Sequence, residues 1–317
     1  MALHHYVSQV HLKRFYSPTL NELMYAVRKS DLKRFTPTSK AVCRLDEGNT
    51  NEYLTEPRAI EEFLKTVEGK YNAGVAALES GQPDQETIYV VAGFASYVMS
   101  CSPAAMRINS APLQGALEVT ARLVEKNGLI PAPPASLGGK DLAELLDSGK
   151  VKIAVDPKYP QAIGIANVLQ QVALFGNFRW DILINEHGDC PFFTSDFPVG
   201  IEPTPDPRVL NRIVPLAPTV AVRFQPDIRT PTHLANFEFR GFSFQRRKVT
   251  RHEAVEINRV LVRSAEDTVF FRDDSPWVAA FVEKNRHFRI ETENIQFPQP
   301  EGTLLWSRQA IVPFRRE

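Results

Sequence analysis

The stretch QETIYVVAGFASYVMSCS, residues 85–102, constrains the fold more than any other part of the chain. It is strongly apolar and too long for an ordinary strand, so it predicts a helix buried on most of its faces. Asp84 is placed to cap its start, and Ser102-Pro103 marks a stop or kink. A helix of this kind has to be surrounded, and 317 residues are enough to bury such a core. With 43% hydrophobic and 23% charged residues the chain reads as a folded protein rather than a disordered one.

Helical patterns flank this centre. In RAIEEFLKTVEGKYNAGVAALES, Ile60, Phe63, Leu64, Val67, Tyr71 and Val75 recur at helical spacing behind Pro57, predicting one long helix. AAMRINSAPLQGALEVTARLVEKNG continues as helix to Gly128, LIPAPPASLGG (129–139) makes the core of a linker at about 129–140, and DLAELLDSG is a short helix. YPQAIGIANVLQQVALFGN predicts a further helix ending at Gly176-Asn177. The period then changes. ELMYAVRK near the N-terminus, two runs in WDILINEHGDCPFFTSDFPVGIEP joined through Glu186–Asp189, a pair in RIVPLAPTVAVRFQP, and RHFRIETENIQF all read as strands. Thr250 and Glu253 form a capping box before a helix whose apolar spacing runs from Val255 to Val269. The expectation is an α+β fold in one domain, 1–317. Its helical middle (about 55–180) packs with a small, mostly antiparallel sheet from the N-terminal and C-terminal parts, the C-terminal half being strand-rich.

Thirty-seven basic residues balance thirty-seven acidic ones, so any nucleic-acid contact has to come from a local patch. Cys43, Cys101 and Cys190 lack CxxC spacing and are odd in number, which argues against a disulfide framework or zinc ribbon and points to core packing in a reducing compartment. No run reaches the ~18 apolar residues of a membrane span. A cytoplasmic protein without membrane partners is expected.

The polar residues of MALHHYVSQVHLKRF concentrate the chemistry. Ser8 can cap a helix, with Val7 and Leu12 at the positions of a hydrophobic staple. His5 then lies just outside the helix start, and Gln9 and Lys13, four apart, share a face that can point at the same space. A histidine, an amide and a cation at a helix N-terminus suit an anion or phosphate. The plainer reading is a capped terminal helix with Lys13 and Arg14 in solvent.

This opening resembles a bacterial domain-of-unknown-function family, the one numbered 4238, whose members begin close to HYVPQxxLKxF. The matching residues are His5, Tyr6, Val7, Gln9, Leu12, Lys13 and Phe15; Ser8 stands where the family usually has proline, and both residues favour the same helix start. The resemblance continues through Glu61 and Glu68 in IEEFLKTVEG, Arg107 in SPAAMR, Ser195, Asp196 and Pro198 in FFTSDFPV, and Asn258 in the helix VEINRVLVRSAEDTVFF. It sets His5, Gln9 and Lys13 apart from His4, His11 and Arg14. Members are associated with prokaryotic mobile elements and anti-phage defence, which implies a toxic effector or a sensor of infection triggered by a phage protein, without assigning chemistry.

Several constellations carry two readings each. Glu61 and Glu68, two helical turns apart, could join Asp196 around Mg²⁺ or Mn²⁺, or could form a charged face beside Lys65. Ser195 has no GxSxG elbow, so Asp196 is the better candidate in SDFP, as orienter of a histidine or as turn residue. The clustered His4, His5 and His11 lack HExxH spacing for zinc. Arg246 and Arg247 beside Phe242 and Phe244 could stack and neutralise single-stranded nucleic acid, or lie on a solvated strand.

Two functions follow. One is a nuclease, RNA before DNA, with His5 as general acid or base; Gln9, Lys13, Arg107 and the carboxylates Glu61, Glu68 and Asp196 would serve catalysis, and Arg14, Ser195, Asn258, Arg246 and Arg247 the substrate. The other is a non-enzymatic binding or infection-sensing protein in which the same groups form a buried network. Whether they converge on solvent or on each other separates the two.

Overall fold

The computed structural model describes residues 3–131, 136, 138–228, 235–299 and 302–314. Residues 132–135 and 137 of the expected linker lie outside the described residues. The elements run β1 (Leu3–His5), α1 (Gln9–Lys13), β2 (Tyr25–Arg28), β3 (Arg34–Phe35), β4 (Arg44–Asp46), α2 (Ala59–Glu68), α3 (Tyr71–Ser80), α4 (Gln85–Cys101), α5 (Pro103–Lys126) and α6 (Leu142–Asp147). They continue with α7 (Lys158–Ala166), α8 (Val168–Gly176), β5 (Arg179–Ile184), β6 (Thr194–Ser195), β7 (Gly200–Pro203), β8 (Leu210–Ala217), β9 (Val220–Gln225) and β10 (Ser243–Lys248). The last are α9 (Arg251–Ser264), β11 (Thr268–Phe271), α10 (Trp277–Asn285), β12 (Phe288–Gln299) and β13 (Gly302–Pro313).

The central helix is α4. The Asp84 carboxylate caps it by accepting from the Thr87 N–H at 2.8 Å, and Ser102 ends it while capping α5 through the Ala105 N–H at 3.1 Å. The two helices meet at a bend of 65°. No single helix among the described residues is long and apolar enough to cross a membrane. Helices α2, α3, α7 and α8 pack around α4, whose residues Val90, Val91, Phe94, Tyr97 and Val98 are fully buried. Two expected long helices are each divided, at Gly69-Lys70 between α2 and α3 and at Asn167 between α7 and α8. Helical spacing carries across the first break because Val67 and Tyr71, on either side, both face this core.

Close approach to α4 depends on Gly93. A Cβ there would stand 2.8 Å from Val67 Cγ2 and 3.2 Å from Phe63 Cζ. Gly93→Ala is therefore expected to lower stability by about 1–2 kcal/mol in urea denaturation, overpacking outweighing the roughly 1 kcal/mol gained in helix propensity. A more stable variant would show that α2 moves aside freely.

The α+β expectation holds, with several small, mostly antiparallel sheets in place of one. The sheet β3-β2-β11-β6 joins N-terminal and C-terminal strands. The larger sheet β10-β5-β9-β8-β7 comes from the C-terminal half and contains one parallel pair, β10 with β5. Ribbons β1-β4 and β12-β13 complete the set. The two strands expected to pair through Glu186–Asp189 do not: β5 pairs β9 and β10, and β6 pairs β11. The segment between them is tied to α9, where Asn258 accepts from the Phe193 N–H at 2.9 Å and donates to the Pro191 carbonyl at 2.9 Å. Helix α9 begins at the Thr250/Glu253 capping box as expected, but it stops at Ser264, and Val269 belongs to β11. There the run TVFF is better used as a buried strand.

Candidate functional site

The N-terminal motif folds as β1, a sharp turn and the five-residue α1. Val7, His11, Leu12 and Phe15 form its buried stripe. Ser8 occupies the cap position, yet its hydroxyl donates to Glu68 Oε1 at 2.5 Å instead of capping. A charged acceptor makes the stronger bond, so the serine ties α1 to the end of α2. Gln9 Nε2 lies 3.5 Å from His5 Nδ1, as the spacing predicted, whereas Lys13 is exposed and adds nothing to this cluster.

His5 lies opposite Arg44 in the β1-β4 ribbon. The Tyr97 hydroxyl reaches the His5 carbonyl and, at 3.1 Å, Asn49 Oδ1. Asn49 in turn donates through Nδ2 to Glu61 Oε1 at 2.7 Å and through its backbone N–H to His4 Nδ1 at 3.1 Å. Burial lowers the pKa of His5, against the pull of the Ser39 and Lys40 carbonyls, so its ring is neutral at pH 7. Its Nε2 is buried and has no hydrogen-bond partner among the described residues.

The histidine with the strongest constraint is His11. Its ring is fully buried, with Nδ1 2.7 Å from the Tyr71 hydroxyl and Nε2 2.7 Å from Thr194 Oγ1. It stacks on Phe94 with ring centroids 4.6 Å apart. Burial, reinforced by Arg14, pushes its pKa down to about 3, so it is neutral. The resemblance had set His11 aside. The signal that could have found it is its place between Val7 and Phe15, four residues from each, on the apolar stripe. Through His11 and Thr194 the N-terminal motif meets the FFTSDFPV motif.

Asp196 does not orient a histidine. Its carboxylate accepts three backbone N–H groups, from Glu266 at 2.9 Å, Asp267 at 2.7 Å and Thr268 at 2.8 Å. Burial raises its pKa to about 6, and the Glu266 carboxylate adds to the rise, even though the Thr268 and Asp267 N–H groups and Lys29 favour the charged form. Ser195 is buried, and its Oγ accepts from the Phe197 N–H at 3.1 Å, a local turn bond. Arg107 makes a two-pronged pair with Glu266 at 3.0 and 2.7 Å and a third bond to Glu291 at 2.6 Å. Asn258 is the tether already described.

The three carboxylates weighed together for a metal therefore go to different partners: Glu61 to Asn49, Glu68 to Ser8 and Asp196 to backbone. Among the described residues no group of three or more His, Cys, Asp or Glu side chains is arranged to hold a metal ion. The three cysteines are buried free thiols. The substrate-side cations are engaged as well. Arg14 contacts Asn72 at 3.3 Å and Glu79 at 3.5 Å, Arg246 bonds the Glu79 carbonyl at 2.8 Å, and Arg247 pairs with Glu253 at 2.9 Å. Phe242 and Phe244 stack on each other with centroids 5.8 Å apart.

No curated protein and no solved structure matches the chain. One family, described as protein of unknown function (DUF4238), matches residues 3–275, which takes in both motifs and ends just before α10 and the β12-β13 hairpin. The chain thus belongs to the DUF4238 family, whose function is unknown.

Proposed function

We propose that this chain is a recognition protein of anti-phage defence, sensing infection through a bound partner such as a phage protein, and that its family motifs build the frame of that recognition surface. The observation behind this reading is where the motif side chains point. Asp196, Asn258, Glu61, Glu68 and Arg107 each hold another segment of the chain, so their polar atoms converge on protein rather than on an open cleft. Groups held this way rigidify a fold but are not free to bind a substrate.

A specific observation favours a nuclease as second reading: His5 is neutral, its buried Nε2 has no hydrogen-bond partner among the described residues and Gln9 lies beside its Nδ1, the protonation state a general base needs. Incubating the purified protein with single-stranded RNA and DNA, with and without Mg²⁺ or Mn²⁺, separates the two. The recognition reading expects no new ends, the same for His5→Ala. Cleavage abolished in His5→Ala with an unchanged Tm would replace it with the nuclease, since general acid–base catalysis contributes about 10²–10⁴-fold.

A further inference from the structure

The residues after the family match build one wall of a groove. Helix α9 presents Glu256, Arg259, Val260 and Arg263 on one face, and β13 faces it with Arg308 through Ile311 across a floor from β7 and the start of β8. The open groove has a volume of about 830 Å³, within the size range of small-ligand sites. Arg259, Arg263, Lys284 and Arg308 line it, against the single carboxylate of Glu256.

Two of these cations are already paired. Arg259 binds Glu256, and Arg308 binds Glu293 on the neighbouring strand at 2.8 Å. The other two have no ion pair among the described residues: Arg263 donates to the neutral Asn285 amide at 2.8 Å and lies 4.2 Å over the Phe288 ring, and Lys284 is exposed at the end of α10. Arg259 and Arg263 are one helical turn apart, where like charges repel.

A second observation points the same way. Behind the groove, a cavity of about 20 Å³ shares Ile201 and Gln309 with it and is lined by Arg212. Arg212 donates to Gln309 Oε1 at 2.8 Å, and its Nη1 is buried with no hydrogen-bond partner among the described residues. Burial pulls its pKa down to about 10, which leaves it charged at neutral pH. A cationic nitrogen buried without a partner opposes folding. Arg263 and Lys284 thus bring positive charge without an ion pair among the described residues to a groove with apolar walls, including Val209, Leu210 and Ile311, and Arg212 lines the small cavity that adjoins it.

We propose that the α9-β13 groove binds a small phosphate-bearing ligand with an apolar body, of nucleoside-phosphate size, held by Arg263 and Lys284 and backed by Arg212 through Gln309. This rests on the recognition reading only in that the ligand is bound and not turned over, and it adds a small-molecule ligand to the protein partner. It also gives the hairpin a role: without Lys284 and β13, both beyond residue 275, the groove has one wall.

Calorimetric titration of the full chain with ATP and with inorganic phosphate tests this. ATP is expected to bind, with affinity falling as salt rises. Lys284→Glu, a surface change that leaves the core untouched, and Arg263→Ala should each weaken ATP binding about tenfold or more, with circular dichroism unchanged and Arg263→Lys recovering part of the loss. Phosphate binding as tightly as ATP would identify free phosphate as the source and still support the groove. Failure of both probes to bind at concentrations on the order of 1 mM, or unaltered ATP binding in Lys284→Glu, overturns the proposal. ³¹P NMR of the bound ATP keeps the two readings apart. Turnover would sink the non-enzymatic reading while the groove stands, and absence of binding would sink the groove alone.

Discussion

His11→Ala is expected to destabilise the fold by about 3–5 kcal/mol, because it opens a cavity in the core and removes the partner of two buried hydroxyls. The ring lies between Tyr71 and Thr194, each at 2.7 Å, and stacks on Phe94. The pH profile carries the sharper form of the prediction. The folded-state pKa of about 3 lies below the ordinary 6.5, so the unfolded chain takes up a proton below pH 6.5 that the folded chain refuses until about pH 3. The stability from this site is therefore present above pH 6.5 and lost as pH falls from 6.5 to 3, by up to about 5 kcal/mol. Urea denaturation at a series of pH values should show this acid limb in the natural protein and a shallower one in His11→Gln. Equal slopes would mean that His11 is already protonated or solvated in the folded state.

Asp196→Ala ranks beside it, with an expected loss of about 3–5 kcal/mol at pH 8, where the carboxylate is ionised. The three N–H groups of Glu266, Asp267 and Thr268 point inward at its oxygens, and each would be left without its acceptor. Asp196→Asn keeps one oxygen but turns an amide NH₂ toward an N–H donor, so it should still cost about 2 kcal/mol. Hydrogen exchange supplies the local readout: amides 266–268 should lose protection in both variants before the rest of β11 does. If those amides exchange as in the natural protein, Asp196 is not what holds that loop, and a role in binding becomes the better account of its place in the motif.

Helix starts at Asp84 and Thr250 are legible because a cap involves residues only three apart. The buried centre at α4 is legible because an apolar run of that length has no other use in a folded chain. The helix breaks at Gly69-Lys70 and Asn167 are not legible, since both sides of each break keep the same apolar spacing and only packing onto α4 requires a turn. The pairing of WDILI departs from the expected hairpin for a related reason: turn residues do lie between β5 and β6, but the segment is tied at Phe193 to Asn258, 65 residues further on.

Within the candidate site, the sequence by itself determined which residue types gather near the N-terminus, the helix start at Ser8 and the contact of His5 with Gln9. The tertiary structure alone decided that Ser8 binds Glu68, that His11 rather than His5 joins the two motifs, and that Asp196 holds backbone. Periodicity and capping act within one or two turns and are written in neighbouring residues. A buried polar group takes whatever partner the fold places beside it, and those of His11 come from 60 and 183 residues away.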